Sequence, residues 1–541
     1  MPHAIEGGHW PFFTTALMAP GGANLLDSAS MPLPSLLLWP VTAIGGFAAS
    51  YDALATLGLA LSAWAAYFAL RRLGTRAGSA WVGGAVYGFG GYMAGEATAH
   101  ANLLAAAIFP PVAAILLMEV ERRRSPAAIG ALLGLCAAAQ LFVDEEILAT
   151  AAIMAAIALL VAALAARPPR ELVERYARAL LVALAVFAPL AGWAIGYQLL
   201  GPEHIHGRVV TAGRYVNDLA SFVIPSSANL FSTAGSRHLA ASFSGYDGEL
   251  GGYLGAPLIA VLLYACRRLR RRALLPAVLL LCAALLSLGP HLRVGGHDTG
   301  ILLPWVIPNH LPLLEDVVPD RFNLYVWLAA GALIALLLDD LRRRPPLRSR
   351  ALGVGLVALG LVPALPTLAP SEAVRLPRVL TNATLLHRYA PAARTVLVLP
   401  SSTGQLGMFA QARAGFAYSL PDGGVFVPGA GGVAYGMRDG PLLYALAAVG
   451  GYASTSAGRT ALDAACLREM GDGSGRLGPR CRAYYGNALR ALGVGAVVVC
   501  ERGSPAAFTR YVRFFAGLLG PARASPGAKL FVAAAAKAPP R

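Results

Sequence analysis

Residues 126–166 read PAAIGALLGLCAAAQLFVDEEILATAAIMAAIALLVAALAA, two long apolar runs separated by the acidic triplet DEE. Each run is close to the ~20 residues that an α-helix needs to cross the ~30 Å hydrocarbon core of a bilayer. Three consecutive carboxylates are costly inside hydrocarbon and are expected at a membrane border. The stretch therefore predicts a hairpin of two transmembrane helices with Asp144, Glu145 and Glu146 at its turn.

The apolar character of this hairpin extends over most of the chain. The 541 residues are 57% hydrophobic and 13% charged, whereas soluble domains carry about 25% charged residues. The segments that qualify as spans are 52–70, 78–96, 101–119, 126–143, 147–166, 177–199, 253–266, 273–289, 323–339 and 351–369. We predict a mainly α, polytopic bundle of about ten transmembrane helices over residues 52–369.

Arginines alternate between the connections of this bundle. Of the 25 arginines before residue 370, 20 lie in every second connection. These 20 are Arg71, Arg72, Arg76, Arg122 to Arg124, Arg167, Arg170, Arg175, Arg178, Arg267, Arg268, Arg270 to Arg272, Arg342 to Arg344, Arg348 and Arg350. Because positive loops stay in the cytoplasm, these connections are predicted to be cytoplasmic and both chain ends extracytoplasmic.

The external parts are predicted to be an initial loop with an interfacial helix (1–51), two long loops (200–252 and 290–322) and a terminal domain (370–541). In that domain, RTVLVLP (394–400), GVGAVVVC (493–500) and KLFVAA (529–534) are typical of buried strands. Helical patterns lie near 440–449, 483–492 and 505–518. We therefore predict a small extracytoplasmic α/β domain, in which Cys466 and Cys481 either form a disulfide or stay reduced.

The charge distribution favours a membrane partner over nucleic acid. The chain carries a net charge of +16, of which +12 lies in residues 370–541. Aromatic residues are not interleaved with the basic ones as in nucleic-acid modules. A basic domain beside a membrane is better explained by anionic lipid headgroups.

Carboxylates and a histidine at the predicted outer membrane border are the first candidates for chemistry. Glu96 and His100 lie four residues apart, a spacing that suits an acid/base pair, metal ligands or an interfacial polar cap. Asp144 and Glu145 would line a site for a metal, a sugar hydroxyl or a cationic group, or form a solvated turn. A divalent metal remains an open alternative, with no ligand set assigned.

Arginines in the external loops are candidates for phosphate contact, because guanidinium matches phosphate geometry. Arg208 and Arg214 lie in the first long external loop. Arg321 stands at the outer start of the ninth span, against the charge bias. It either pairs with its neighbour Asp320 or captures a lipid phosphate.

Several fragments in order resemble bacterial multi-pass membrane glycosyltransferases of the GT-C superfamily. They are PHAIEGGHWPFFTTALMAPGGANLL (2–26), GFGGYMAGEATAHANLL (88–104), QLFVDEEILAT (140–150), LGPHLRVGG (288–296) and LPLLEDVVPDRFNLYVWLA (311–329). The resemblance covers most of residues 1–340, and the terminal domain resembles the extracytoplasmic tails of those proteins. It implies transfer of a sugar from a polyprenyl-phosphate donor to an acceptor at the outer face of the plasma membrane.

The resemblance also implies a set of site residues, with His3, Glu96, His100, Asp144, Glu145 and Arg321 near the site. In such enzymes a carboxylate in the first external loop acts as base or metal ligand. This chain begins inside the family pattern, so either the start of the protein is expected to lie upstream of Met1 or the chain is expected to lack the first transmembrane helix and the acidic residue after it. Glu6 and Asp27 are the carboxylates of that loop in this chain.

Two other classes of function stay open. A transporter or flippase of a lipid-linked saccharide would place charges near the bilayer midplane, often in broken helices. A non-catalytic membrane scaffold could present the basic terminal domain. The predicted clustering of charges at the outer helix ends favours chemistry at the membrane surface.

Overall fold

A computed structural model describes residues 1–122, 124–210, 213–245, 247–311, 313–343, 347–367, 374–400, 405–451, 459–470 and 477–533. Arg123, Arg344 and the last two residues of the predicted tenth span (368–369) lie outside the described residues. The chain divides into two compact units. Unit 1 comprises Met1–Ser30, Ala194–Val209 and Ser371–Arg541, and unit 2 comprises Met31–Trp193 and Val210–Pro370.

The helices are numbered in chain order. They are α1 (Pro2–Glu6), α2 (Pro32–Leu37), α3 (Trp39–Arg72), α4 (Ala77–Gly88), α5 (Gly91–Glu96), α6 (Ala101–Ala106), α7 (Phe109–Glu121), α8 (Pro126–Leu141), α9 (Glu145–Ala166), α10 (Arg170–Leu200), α11 (Ala234–Ala240), α12 (Ala256–Leu269), α13 (Leu274–Ser287), α14 (Asn323–Arg342), α15 (Leu347–Leu361), α16 (Arg378–Thr381), α17 (Ala383–Tyr389), α18 (Gln405–Arg413), α19 (Pro441–Gly450), α20 (Ala461–Met470), α21 (Pro479–Ala491) and α22 (Pro505–Leu519).

The strands are short and fall mostly in unit 1. They are β1 (Phe13–Thr14), β2 (Ala23–Asn24), β3 (His291–Val294), β4 (His297–Leu302), β5 (Thr395–Leu399), β6 (Asp422–Gly429), β7 (Gly432–Met437), β8 (Val494–Cys500), β9 (Arg523–Ser525) and β10 (Ala528–Val532).

Unit 2 is a helical membrane bundle. Within the described residues, the helices long and apolar enough to cross a bilayer are Trp39–Arg72, Ala101–Glu121, Glu145–Ala166, Arg170–Leu200 and Pro319–Arg342. Apolar helices of 10–17 residues, among them Pro126–Leu141 and Gly353–Ala364, accompany them. The mainly α membrane fold is confirmed, and the count of ten spans stays a prediction.

Two glycines change the helix boundaries expected from the sequence. The predicted span 78–96 is divided into α4 and α5 at Gly90, whose ψ of 175° is extended rather than helical. Its backbone lies against the Trp327 ring, where a Cβ would be 2.6 Å from a ring carbon. The predicted interfacial helix and the first span are joined in α3, whose only break is at Gly46 with φ 77°. Glycine adopts this left-handed conformation without the steric cost that other residues meet.

Helix α14 is the centre of the bundle. It is buried along nearly its whole length and packs against α4, α12 and α13. The α4 and α14 backbones meet at Gly83 and Gly331, where a Cβ on Gly331 would lie 2.4 Å from the Gly83 carbonyl oxygen. Small residues at such crossings let membrane helices approach closely enough for dense van der Waals packing.

Charged side chains lie at both ends of α14. Twenty residues of α-helix extend about 30 Å, the thickness of the hydrocarbon core. Asp320 and Arg321 precede the first residue of α14, whereas Asp339 and Asp340 near its end pair with arginines: Arg343 donates to Asp339 (2.7 Å) and Arg268 to Asp340 (2.8 Å). The two charged ends therefore lie about one bilayer core apart.

Unit 1 is built on a four-stranded sheet with the order β5-β8-β10-β9. Strands β5 and β8 pair in parallel, and β10 pairs antiparallel with both β8 and β9. All residues of β5 and β8 are buried. The strands expected at 394–400 and 493–500 are confirmed as β5 and β8. The strand expected at 529–534 corresponds to β10, and residue 534 lies outside the described part of the chain.

The two faces of this sheet line separate hydrophobic cores. Val396 and Val398 point into one core, and Leu397 and Leu399 into the other, as the two-residue period of a strand requires. The second core is covered by α19, α21 and α22, which correspond to the helices expected near 440–449, 483–492 and 505–518. A disulfide between Cys466 and Cys481 links α20 to α21, so the pairing left open by the sequence is formed.

The first core of unit 1 also includes residues from the start of the chain. Leu17, Met18 and Ala23 are buried there with residues of β5 and β8. The Ala16 carbonyl accepts hydrogen bonds from the backbone of Leu420 and from the Gln411 side chain, each 2.8 Å long. The first 30 residues are therefore part of the folded unit that contains the terminal domain.

The contact between α4 and α14 predicts a specific defect. Replacing Gly331 with alanine inserts a methyl group against the Gly83 carbonyl, and we expect overpacking to lower stability by about 1–3 kcal/mol. Thermal unfolding of the purified protein in detergent measures the loss. Gly192→Ala is the control, because nothing lies within 4 Å of its added Cβ. Equal melting temperatures for the two variants would contradict the close contact.

Candidate functional site

A buried arginine at the start of α14 holds three carboxylates together. Arg321 Nε donates to Glu146 (3.0 Å), Nη1 to Glu96 (3.1 Å), and Nη1 and Nη2 both to Glu249. Arg321 is 5% exposed, and Glu96 is completely buried. A buried charge is tolerated only when it is paired and hydrogen-bonded, and here one guanidinium fork satisfies all three acids.

Each member of this cluster is placed by the end of a helix or by a 3₁₀ turn. Glu96 is the last residue of α5, and Glu146 lies in the first turn of α9. Glu249 ends the 3₁₀ turn Asp247–Glu249, and Arg321 lies in the turn Pro319–Phe322 that leads into α14. Four segments far apart in sequence therefore meet at one end of the bundle.

Glu96 also binds His100, a partly exposed histidine at the edge of the cluster. The two side chains are joined by a 2.6 Å contact between Glu96 Oε2 and His100 Nδ1, and the His100 side chain is 29% exposed. Burial by itself lowers the pKa of His100, but the hydrogen bond to Glu96 and its charge outweigh burial, so the pKa lies above its usual value. The pairing predicted from the sequence spacing is formed.

Asp144 caps the helix that carries Glu146. Its Oδ1 accepts from the Ile147 backbone (2.8 Å) and its Oδ2 accepts from the Asn102 side chain (2.7 Å). An Asp at this position satisfies an unpaired N–H and complements the helix dipole. Burial raises the pKa of Asp144 above its usual value, although these two hydrogen bonds oppose the shift.

A second polar network lies beside Arg321. The Asp320 Oδ1 accepts from Asn323 (2.6 Å), and Asn323 exchanges two amide hydrogen bonds with Asn217. Asn217 also donates to the Ser287 hydroxyl (2.9 Å). The other Asp320 oxygen and the Tyr92 hydroxyl are buried without a hydrogen-bond partner among the described residues.

The cluster contains more acid than base. Glu96, Asp144, Glu146, Glu249 and Asp320 face one guanidinium and one imidazole, so full ionisation would leave three negative charges uncompensated. Uncompensated charge is strongly unfavourable in a buried site. The excess of acid favours bound protons or a cationic or hydrogen-bond-donating ligand.

Glu96, Glu249 and Asp320 have the chemistry of a divalent-cation site. One oxygen of each residue lies within 4.8 Å of the other two. Two oxygens on opposite sides of a calcium-sized ion, each about 2.4 Å from it, are separated by the same distance. The unpartnered Asp320 oxygen is available for such a contact. Arg321 already binds Glu96 and Glu249, so an ion would share them with the guanidinium.

The other predicted residues are distributed over both units. Glu145 is exposed in the first turn of α9, while Asp144 and Glu146 are half-buried. Arg214 of unit 2 is exposed, lies over the Tyr215 ring (5.4 Å) and borders a small recess with Val318 and Pro319.

Two predicted residues, His3 and Arg208, belong to unit 1. The His3 ring stacks on Phe416 with centroids 4.6 Å apart, and Arg208 is half-buried. Arg321 was predicted either to pair with Asp320 or to capture a phosphate. Its guanidinium binds Glu96, Glu146 and Glu249, and Asp320 accepts from Asn323.

Sequence patterns did not point to Glu249, Asn217 or Tyr92 as site residues. Glu249 lies in a loop of 53 residues (200–252), where periodicity carries no information about partners. A weak signal was present, since Glu249 is an acid in an apolar, glycine-rich context, GELGGYLGAP (248–257). Such a residue needs a partner, but only the fold identifies Arg321, 72 positions away.

Residues 5–362 match a family described as a domain of unknown function, DUF6311. The chain belongs to the DUF6311 family. The matched range contains all the residues of the buried cluster. No curated protein matches the chain.

Solved structures similar to this DUF6311 protein include the Archaeoglobus fulgidus oligosaccharyltransferase in complex with zinc and sulfate. It gives a TM-score of 0.49 and 13% identity, with coverage of 92% of this chain and 62% of that chain. The archaeal oligosaccharyltransferase AglB from the same organism, with an inhibitory peptide and a dolichol-phosphate, gives a TM-score of 0.44, 12% identity and coverage of 96% and 66%. The chain thus spans somewhat less than two thirds of the length of these proteins.

The contacts of Arg321 predict that its replacement lowers the stability of the protein. Arg321→Met removes the cation from two buried carboxylates, Glu96 and Glu249, and from the half-buried Glu146, and we expect a loss of about 3–5 kcal/mol in unfolding free energy. Chemical denaturation in detergent measures it. The control is Glu174→Gln, which breaks the exposed pair with Arg170 (2.8 Å) and should cost at most about 1 kcal/mol. Similar losses in both variants would contradict the buried pairing.

The burial of Asp27 in unit 1 predicts that the stability of the protein depends on pH. Burial raises the pKa of this carboxyl to about 7, and one of its oxygens has no hydrogen-bond partner among the described residues. The folded state therefore binds the proton more tightly than the unfolded state, in which the pKa is about 4. Stability should fall as the pH rises from about 4 to about 7, by a few kcal/mol, since each pKa unit corresponds to about 1.4 kcal/mol.

Melting temperatures of Asp27→Asn and wild type between pH 4 and 8 measure this effect. The melting temperature of the variant should not show the fall with rising pH that is assigned to Asp27. It should exceed the melting temperature of the wild type by the largest margin at pH 8. Glu6→Gln, at an exposed acid of the same segment, should keep the wild-type slope. A wild-type slope in Asp27→Asn would contradict the prediction.

Proposed function

We propose that this DUF6311 protein is a membrane glycosyltransferase that moves a sugar from a polyprenyl-phosphate donor to an acceptor at the extracytoplasmic membrane face. The observation that carries the proposal is the Glu96–His100 pair at the edge of the buried Arg321 cluster. This pair offers a partly exposed base beside a pre-organised set of charges. The resemblance of residues 1–340 to bacterial GT-C enzymes supports the same conclusion.

The position of the cluster supports chemistry on a membrane-held substrate. Glu96, Asp144, Glu146 and Arg321 all lie at helix ends away from the arginine-rich connections, at the border predicted to be external. A polyprenyl-phosphate donor carries its sugar and phosphate at this height, because its hydrocarbon chain stays in the bilayer. A transporter would instead hold its charges near the midplane of the spans.

The Glu96–His100 pair suits removal of a proton from the acceptor hydroxyl. Glu96 binds Nδ1 and orients the ring, and its charge stabilises the imidazolium that forms when the proton is taken. Arg321 keeps Glu96 in place and therefore acts as a positioning residue. Asp144 fixes the start of α9 and with it Glu146, the third carboxylate on Arg321.

The departing polyprenyl phosphate is an anion and needs a cation. Arg214 is the exposed guanidinium of unit 2 that borders the recess at Val317, Val318 and Pro319, next to the Arg321 turn. We assign it to phosphate contact, as guanidinium matches phosphate geometry. A divalent ion, if bound, would be held by Glu96, Glu249 and Asp320 and would offset charge on the phosphate.

Release of sugar from a panel of polyprenyl-phosphate sugars tests the function without knowledge of the acceptor. Purified protein in proteoliposomes should release sugar from at least one of these donors. His100→Gln should lower this rate by about 10²–10⁴-fold, the usual contribution of an acid/base residue. His238→Gln, at an exposed histidine of α11, should leave the rate unchanged.

Two outcomes would overturn the proposal. One is wild-type activity in His100→Gln, because it would show that His100 is not the base. The other is movement of intact lipid-linked saccharide across the bilayer without any release of sugar, which would favour a transporter. Folding of each variant is checked by its melting temperature before the rates are compared.

A further inference from the structure

A group of arginines surrounds one carboxylate at the arginine-rich end of the bundle. Glu119, near the end of α7, is 6% exposed. Arg72 Nη1 donates to its Oε1, Arg124 Nε lies 2.9 Å from its Oε2, and Arg122 Nη1 lies 3.7 Å from Oε1. We call Arg72, Arg122 and Arg124 the Glu119 arginines.

The arrangement is held by backbone contacts as well as by charge. Arg122 Nη2 donates to the Arg72 carbonyl (3.0 Å). Arg175 of α10 donates to the carbonyls of Val120 and Arg124 (2.8 Å each), so a fourth guanidinium caps the end of α7. Three segments, the ends of α3 and α7 and the start of α10, are therefore joined at this point.

The Glu119 arginines carry more charge than their partner neutralises. One carboxylate faces three guanidinium groups, and the neighbouring acid Glu121 accepts from the Tyr176 hydroxyl (3.2 Å). The Arg72, Arg122 and Arg124 side chains are 42%, 50% and 67% exposed. Each guanidinium has five N–H donors, of which these contacts use a minority, so the group suits a phosphate.

An exposed apolar stripe on α3 leads to this group. Leu57, Leu61, Trp64 and Phe68 are 46%, 38%, 62% and 51% exposed and recur at the three- and four-residue spacing of one helix face. The next position on that face is Arg72. Fifteen residues of helix extend about 22 Å, more than the ~15 Å depth of one leaflet.

We propose that the Glu119 arginines bind the phosphate headgroup of an anionic phospholipid whose acyl chains lie along the α3 stripe. The exposed arginines supply the charge and the fork geometry for the phosphate, and the stripe supplies the apolar contact that a free phosphate cannot use. The site lies at the opposite bundle end from the Arg321 cluster. It does not depend on the glycosyltransferase function.

Lipid exchange into the purified full chain tests the proposal directly. Native mass spectrometry counts the phospholipids retained after titration with phosphatidylglycerol or phosphatidylcholine. We expect the wild type to retain phosphatidylglycerol in preference to phosphatidylcholine. Equal retention of the two lipids by the wild type would overturn the proposal, and this measurement needs no variant.

Variants locate the site. Arg72→Gln with Arg124→Gln should weaken phosphatidylglycerol binding about thirtyfold, because each arginine near a charged lipid surface contributes about 1 kcal/mol. Arg267→Gln with Arg271→Gln removes the same charge from exposed arginines near the end of α12 and should leave binding unchanged. An equal effect of both pairs would mean general attraction and would overturn the site.

Two further measurements complete the test. Arg124→Gln alone, at the most exposed of the three arginines, should weaken binding about fivefold and keeps the test valid if the double variant does not fold. Glycerol phosphate should fail to displace the lipid at millimolar concentration. Displacement by this soluble headgroup would show a free-anion site and would overturn the assignment to a phospholipid.

Discussion

The guanidinium of Arg321 is the one cation shared by Glu96, Glu146 and Glu249, three acids that reach it from three separate segments. Glu96 and Glu249 are buried and Glu146 is half-buried, so the guanidinium compensates negative charge that water solvates poorly. The positions of the α5 end, the α9 start and the loop that carries Glu249 are therefore coupled through a single side chain. His100 and Asp144 are attached to the same assembly, His100 through Glu96 and Asp144 as the cap of α9.

The bundle has a related arrangement with reversed charge at its other end. There one buried carboxylate, Glu119, gathers Arg72, Arg122 and Arg124. The two clusters differ in exposure, since Arg321 is enclosed by its acids whereas the Glu119 arginines reach solvent with most of their donors. The enclosed cluster suits the orientation of a reacting group, and the open one suits the capture of an anion. The 20-residue length of helix α14 sets the distance from the Arg321 cluster to the opposite end of the bundle.

Unit 1 depends on a different constraint, the separation of two cores by one sheet. Strands β5 and β8 are apolar on both faces, so each face needs its own cover. Helices cover one face, and Leu17, Met18 and Ala23 from the start of the chain contribute to the other. The first 30 residues are thus a structural part of the same unit as the terminal domain. Their acid Asp27 is buried among these contacts.

The sequence by itself determined the membrane class, the apolar segments, the acidic triplet at a helix end and the strands β5 and β8, because each depends on residues close together in the chain. The Glu96–His100 contact was predictable for the same reason, since four positions separate its partners. Tertiary structure decided that Glu146 and Glu249 join Arg321, that Glu145 stays exposed, and that the Glu119 arginines converge. Glu146 and Glu249 lie 175 and 72 positions from Arg321, and Arg72 lies 47 positions from Glu119. Helix packing selects these distant contacts after the local pattern has been satisfied.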